Sequence, residues 1–249
     1  MSRLYQVGVL ATTNIPVGDH ITRKLFGLTI NLDDIISTLV AGVIVLGLGL
    51  IIRVTATAGI PGKLQLAWET IVGGVGDQVS QSMGEAGRPI VPLAVTLFAY
   101  ILIANWLELI PTGHDPQYLP APTGDINFTA AMAIFVIILV HATWIRRQGL
   151  GKYLGHYFKP FWWLAPINAI EEIVKPVTLA LRLFGNIFSG GILLVLIADL
   201  FPARFVVAIP IVDVIWKWFD GVFVGPIQAF IFMLLTILYF GSAYGSSGH

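Results

Sequence analysis

Long apolar runs separated by short polar segments dominate the chain. A membrane-spanning helix needs about 20 mostly apolar residues to cross roughly 30 Å of hydrocarbon. The first such run, residues 33–54, follows an N-terminal tail (1–32) and opens on the acidic pair Asp33-Asp34, which suits a helix N-terminus. It ends near Arg53, and a Gly/Pro-containing polar segment follows from Thr55 to Arg88. The second run, 90–110, closes at Pro111, and the third, 126–147, ends on Arg146-Arg147. The connection between these two is rich in Pro and Gly and reads as a loop. Beyond Lys152 and Lys159 the pattern changes, because residues 161–201 and 205–244 are each apolar almost throughout. A straight helix of about 40 residues would be about 60 Å long, twice the membrane thickness. Pro176, Pro210 and Pro226 offer bends. Each stretch is either one long, strongly tilted helix or a short hairpin, and the first reading is preferred, with the join near Pro202. The expected fold class is an all-α polytopic membrane protein of about five membrane helices in one membrane domain, 1–249, without internal repeats.

Composition supports the membrane reading. Of 249 residues, 56% are hydrophobic and 11% charged, where soluble domains carry about 25% charged residues. Mean hydropathy is +0.84. Basic and acidic residues balance at 14 each, so no net field points to nucleic acid. The absence of Cys excludes disulfides and thiolate metal sites, and the five His are scattered with no pair at helical spacing. No metal site, cofactor or signal peptide is expected.

Orientation follows from basic residues in short loops. Lys63 and Arg88, with Arg53 at the edge, follow the first run, and Arg146, Arg147, Lys152 and Lys159 follow the third. The loop 111–125 has no Lys or Arg. The two basic segments should therefore face the cytoplasm, leaving the N-terminus outside and the C-terminus inside. Arg23 and Lys24 in the tail oppose this assignment, but more weakly.

Polar residues inside apolar runs carry the functional signal, since an Arg or Lys at mid-bilayer costs about 2.5–3.5 kcal/mol on insertion scales. Glu171, Lys175, Thr178, Arg182, Asn186 and Ser189 are three or four residues apart and share one helical face. Arg182 lies deep in the run, with Leu179-Ala180-Leu181 before it and Leu183-Phe184 after it. The bland alternative is a buried Arg paired with an internal carboxylate. Glu171 and Lys175 are spaced to neutralise each other in part. The last run repeats the feature with Asp213, Lys217 and Asp220, then Gln228. The triplet could equally be a self-neutralising ladder near the interface. Gly185, Ser189 and Gly190 near the Arg182 face, and the pair Gly221/Gly225, would allow these two helices to pack closely.

The string KPVTLALRLFGNIFSG (Lys175 to Gly190) resembles the signature of subunit a of F-type ATP synthases. PIQAFIFMLLTILYF (Pro226 to Phe240) resembles that family's second signature, and PAPTGDINFTAAMA (Pro120 to Ala133) the start of its third span. The resemblance extends from about Ile90 to Tyr244. It implies that the last two helices lie nearly in the membrane plane, as a hairpin against a ring of rotor c-subunits. It matches Arg182 to the family's essential arginine, and Asn186 and Gln228 to positions beside the proton path. In the enteric bacterial form a carboxylate follows the first motif and a His lies seven residues before the matched glutamine. Here those positions are Gly191 and Gly221. Asp220, with Asp213 and Asp199 as further candidates, is the expected substitute in the outer half-channel. Glu172, Lys175, Thr178 and Asn186 are the expected inner path, with Ser189 on the same face.

The resemblance thus implies a stator proton-channel subunit that is not itself an enzyme, working in a bacterial plasma (inner) membrane. The implied partners are the c-subunit ring, peripheral-stalk b subunits, the other ATP synthase subunits, the lipid bilayer and protons. No phosphate-cradling glycine loop appears, in keeping with nucleotide chemistry residing elsewhere. The alternative is a stand-alone ion channel or secondary transporter, which calls for inverted repeats or paired broken helices. A purely structural membrane subunit is a third reading, and copurification with a c-ring separates the three.

Overall fold

The computed structural model describes residues 22–25, 28–57, 59–107, 109, 121–157, 163, 165–200, 214–215 and 218–245. Apart from one short hairpin the described chain is helical. The elements are β1 (Thr22–Leu25), β2 (Leu28–Asn31), α1 (Leu32–Thr55), α2 (Lys63–Met83), α3 (Val91–Leu107), α4 (Ile126–Gln148), α5 (Leu150–Tyr157), α6 (Ala165–Leu200) and α7 (Gly225–Gly245). A 3₁₀ segment (Gly84–Ile90) joins α2 to α3, another (Pro122–Gly124) precedes α4, and a π-helical segment (Asp220–Val224) leads into α7. The antiparallel hairpin pairs Thr22 with Asn31 and Leu25 with Leu28, so the end of the N-terminal tail is ordered strand. Among the described residues, four stretches are long and apolar enough to cross a membrane: Leu32–Thr55, Lys63–Leu107, Ile126–Gln148 and Asp220–Tyr244. The chain is an all-α polytopic membrane protein.

Hydrogen bonds sort the helix ends into two groups. At one end, Asn31 Nδ2 donates to Asp34 (3.1 Å) and Asp125 (3.5 Å), joining the starts of α1 and α4. Asn105, near the end of α3, donates to the Gly225 carbonyl at the start of α7. At the other end, Gln148 Nε2 donates to the Ala243 carbonyl (3.0 Å), and the Arg147 guanidinium lies 3.7 Å from the Tyr244 ring centroid. Gly241 there lies against Ser82, at the end of α2. Thus α1, α4 and α7 run one way and α3 the other. The second end gathers the basic residues Arg146 and Arg147, with Arg88 in the adjoining 3₁₀ segment.

Residues 55–88 are not the loop that their Gly and Pro content suggests. Lys63–Met83 forms α2, and Gln65 fastens the preceding turn by exchanging hydrogen bonds with the Thr57 backbone (3.1 and 3.0 Å). Trp68, Ile71, Val72, Val75 and Val79 repeat at helical spacing and form one apolar face. That face packs on Ala94 and Val95 of α3 and Met233 and Ile237 of α7. Because α2 both begins and ends at the basic end, it runs along that end instead of crossing. Glycines 73, 74 and 76 are tolerated within it, with nothing within 4 Å of their missing side chains.

The main core lies between α3, α4, α6 and α7. Leu97, Ile101, Ala133, Val136, Val140, Leu179, Ala180, Leu183, Ala229, Phe232 and Phe240 are buried together there. In lipid such packing rests on close van der Waals contact more than on expulsion of water. The helix α1 attaches to α3 through Ala41, Ala104 and Leu107, with only 17% of its apolar window buried. At 36 residues, α6 is one unbroken helix despite Pro176. Its length of about 54 Å exceeds the hydrocarbon thickness of roughly 30 Å.

Candidate functional site

The candidate site lies on α6 and the facing part of α7. The helix α6 packs mainly on α4. Leu179, Ala180 and Leu183 of α6 are buried, at 1%, 6% and 1% exposure. These three fix the azimuth of the helix. At about 100° per residue, Arg182 then falls on the outer face. Arg182 is exposed, flanked by exposed Val177, Thr178 and Leu181, with Ile173 and Val174 a turn or two earlier. Among the described residues no carboxylate lies within ion-pair distance of it. The arginine is thus not locked to an internal carboxylate there.

The rest of the stripe divides. Glu171 and Thr178 are exposed and Lys175 is half-buried, so all three lie on the outward side with Arg182. The Thr178 hydroxyl donates to the Val174 carbonyl at 2.8 Å. The expected Glu171–Lys175 pair does not form, since Glu171 makes no ion pair among the described residues. The Lys175 ammonium instead lies 5.9 Å from the Tyr239 ring centroid, a cation–π contact to α7. Backbone position alone places Glu172, Asn186, Ser189 and Asp199 on α6, with Asn186 and Ser189 continuing the Arg182 face. Asp213 and Lys217 lie outside the described residues.

On α7, Gln228 is buried at 8% exposure beside Ala229 and Phe232. The Lys175–Tyr239 contact is where α6 meets α7. Asp220, half-buried, heads the π-helical segment.

The glycine pair was expected to bring α7 against α6, but it serves α3. A side-chain carbon at Gly221 would lie 2.5–2.7 Å from the Leu109 side chain, and one at Gly225 would lie 3.3 Å from Asn105 Cβ. Gly185 of α6 has nothing within 4 Å. The site residues missed in the sequence are those of this contact. Trp106 Nε1 donates to the Gly221 carbonyl (2.8 Å), Asn105 Nδ2 to the Gly225 carbonyl (3.3 Å), and Thr123 Oγ1 to Asn105 Oδ1 (2.6 Å). Asn105 within an apolar run was the available signal. Among the described residues no group of three or more His, Cys, Asp or Glu could hold a metal ion.

A family model described as ATP synthase A chain matches residues 35–241. The chain is 50% identical to ATP synthase subunit a of Acidothermus cellulolyticus, a match covering 100% of this chain and 90% of that protein. It is 45% identical to the Mycobacterium bovis protein of the same name (94% and 95% covered) and 44% to that of Mycobacterium leprae (97% and 98%). With the match spanning both signature helices and the segment that joins them, the chain belongs to the subunit a family of ATP synthases.

Proposed function

We propose that this chain is the stator proton-channel subunit of the ATP synthase membrane sector, and that Arg182 deprotonates the carboxylate of each passing rotor c-subunit. The carrying observation is the exposure of Arg182 beside exposed Val177, Thr178 and Leu181 at the middle of a helix anchored through Leu179, Ala180 and Leu183. An arginine facing lipid is unfavourable by about 2.5–3.5 kcal/mol. The surface calls for a partner that covers the apolar positions and supplies an anion.

A carboxylate in lipid has its pKa raised by desolvation and stays neutral. Beside Arg182 its anion is favoured. At about 4 Å and an effective dielectric near 20 the attraction is on the order of 4 kcal/mol. One pKa unit corresponds to about 1.36 kcal/mol, so the encounter shifts the carboxylate by several units and forces proton release. The released proton leaves by an inner path along Glu172, Lys175, Thr178 and Asn186. Protons reload from outside through Asp220, with Asp213 and Asp199 as further carriers, passing Gln228. The fixed positive charge between the two paths blocks direct leakage. Arg suits this better than Lys, because it does not deprotonate and its planar fork can hold a carboxylate. The membrane supplies about 2.3 kcal/mol per charge per 100 mV. The subunit itself is non-catalytic and works with the c-ring, the b-subunit stalk and the remaining subunits. The basic end of the bundle faces the cytoplasm, with the N-terminus outside and the C-terminus inside.

Arg182→Ala tests the proposal. The complex should assemble with its c-ring but neither synthesise ATP nor pump protons. Wild-type pumping in inverted vesicles would sink it.

A further inference from the structure

The π-helical segment Asp220–Val224 changes which residues of the last helix share a face. In a regular α-helix, Asp220 and Gln228 would be eight steps apart, or about 80° away from one another around the axis. A π turn absorbs one extra residue. The eight steps then act as about seven, and the offset closes to about 20°. Asp220 and Gln228 thereby come onto one stripe.

A π turn is strained relative to an α-helix and persists only where its surroundings hold it. Here α3 holds it. The Gly221 and Gly225 carbonyls, at the two ends of the turn, accept hydrogen bonds from Trp106 and Asn105. Asn105 is buried at 4% exposure, and buried Thr123 fixes its amide from the other side. Leu109 fills the space that a side chain at 221 would need, so glycine lets the end of α3 close on the turn without displacing it.

We infer that Asn105 and Trp106 are positioning residues, clamping the π turn so that Asp220 stands on the Gln228 face. The inference rests on the proposed proton path only in giving that alignment its use. It also accounts for the glycine at 221: a side chain there would have to displace Leu109, and the polar group is supplied by the neighbouring Asp220 instead.

The test uses the assembled enzyme and a deletion. Removing Val222, an exposed residue within the turn, leaves Asp220 and Gln228 seven residues apart in a regular helix, still aligned. Trp106→Phe and Asn105→Leu should each lower ATP synthesis per assembled complex, and the Val222 deletion should restore it in both. A merely structural role for either side chain would not be rescued by shortening a different helix. As a second readout, Asp220→Cys in this cysteine-free chain should react with an impermeant thiol reagent from outside. Trp106→Phe should slow that reaction about fivefold, the shift that one lost hydrogen bond of ordinary strength allows. Unchanged labelling together with no rescue overturns the clamp. If Asp220→Asn synthesises ATP like wild type while the rescue holds, the proton-entry assignment falls and the clamp stands.

Discussion

Presentation of Arg182 depends on how α6 is held, and three neighbouring leucines separate anchoring from mere hydrophobicity. Leu179 and Leu183 are 1% exposed within the α4–α6 core, whereas Leu181 is 50% exposed. In water-soluble proteins a buried Leu→Ala change costs about 2–5 kcal/mol, part lost transfer energy and part cavity. In lipid the transfer part largely vanishes, because the alternative environment is also apolar. The cavity and lost contacts remain, giving roughly 1–2.5 kcal/mol at either buried site. Since 1.4 kcal/mol is about tenfold in an equilibrium, Leu183→Ala should raise the opening equilibrium of α6 by roughly five- to fiftyfold. Leu181→Ala should change it by less than about twofold, in line with exposed positions generally. Amide hydrogen exchange across Ala165–Gly185 in the intact complex reads this opening directly. Leu179→Ala and Leu183→Ala should accelerate exchange there and lower pumping although Arg182 is intact. If Leu181→Ala accelerates exchange as much as Leu183→Ala, α6 is not anchored as described and the orientation of Arg182 loses its physical basis.

Single Asn substitutions at Asp220, Asp213 and Asp199 should rank Asp220→Asn lowest in synthesis rate; if it is the mildest, the outer path runs elsewhere. Cysteines at 172, 175, 178 and 186 should react with a small polar thiol reagent from the cytoplasmic side while cysteines at 179 and 183 stay protected, and uniform protection of all six would remove the inner path from this face. Asp125 accepts a hydrogen bond from the Asn127 amide at 2.8 Å as the N-cap of α4. Asp125→Ala should destabilise by about 1 kcal/mol and Asp125→Asn by less, read as the midpoint of thermal inactivation. An equal loss in both variants would place the contribution in the carboxylate charge and not in the cap.

Hydropathy made the large helices legible because lipid imposes one demand, about 20 apolar residues with every backbone group bonded within the helix. The apolar runs behind α1, α3 and α4 meet that demand alone. The helix α2 does not, because its glycines and the preceding Gly59–Gly62 stretch mimic a loop. Only the spacing of Trp68, Ile71, Val72, Val75 and Val79 betrays it, and that face acquires meaning once α3 and α7 are there to receive it. The polar stripe on α6 could be read because helical spacing is local. Which side it turned could not, since the anchors Leu179, Ala180 and Leu183 look no more apolar than exposed Leu181. The same limit explains the Glu171–Lys175 pair, where correct spacing gave way to a contact across to Tyr239. The glycine pair was assigned to the wrong neighbour because a sequence says that a helix can be approached closely, but not by what.

The two clusters of helix ends carry opposite chemistry, and this bears on how a proton could travel in one direction. One end holds Asp33, Asp34 and Asp125 around Asn31, with both α1 carboxylates buried, and Asp220 opens the π-helical segment that leads into α7. The other holds Arg146 and Arg147 and the 3₁₀ segment of Arg88. A path opening at the acidic end meets a field that concentrates cations. A path opening at the basic end meets cations that repel an incoming proton and ease the departure of one just released. Arg182 lies midway along α6, beyond the Lys175 that contacts Tyr239. Reversing the polarity of the ends would leave the arginine in place yet oppose the direction of loading. On this reading Arg182 decides where a carboxylate must lose its proton, and the end groups decide from which side it regains one.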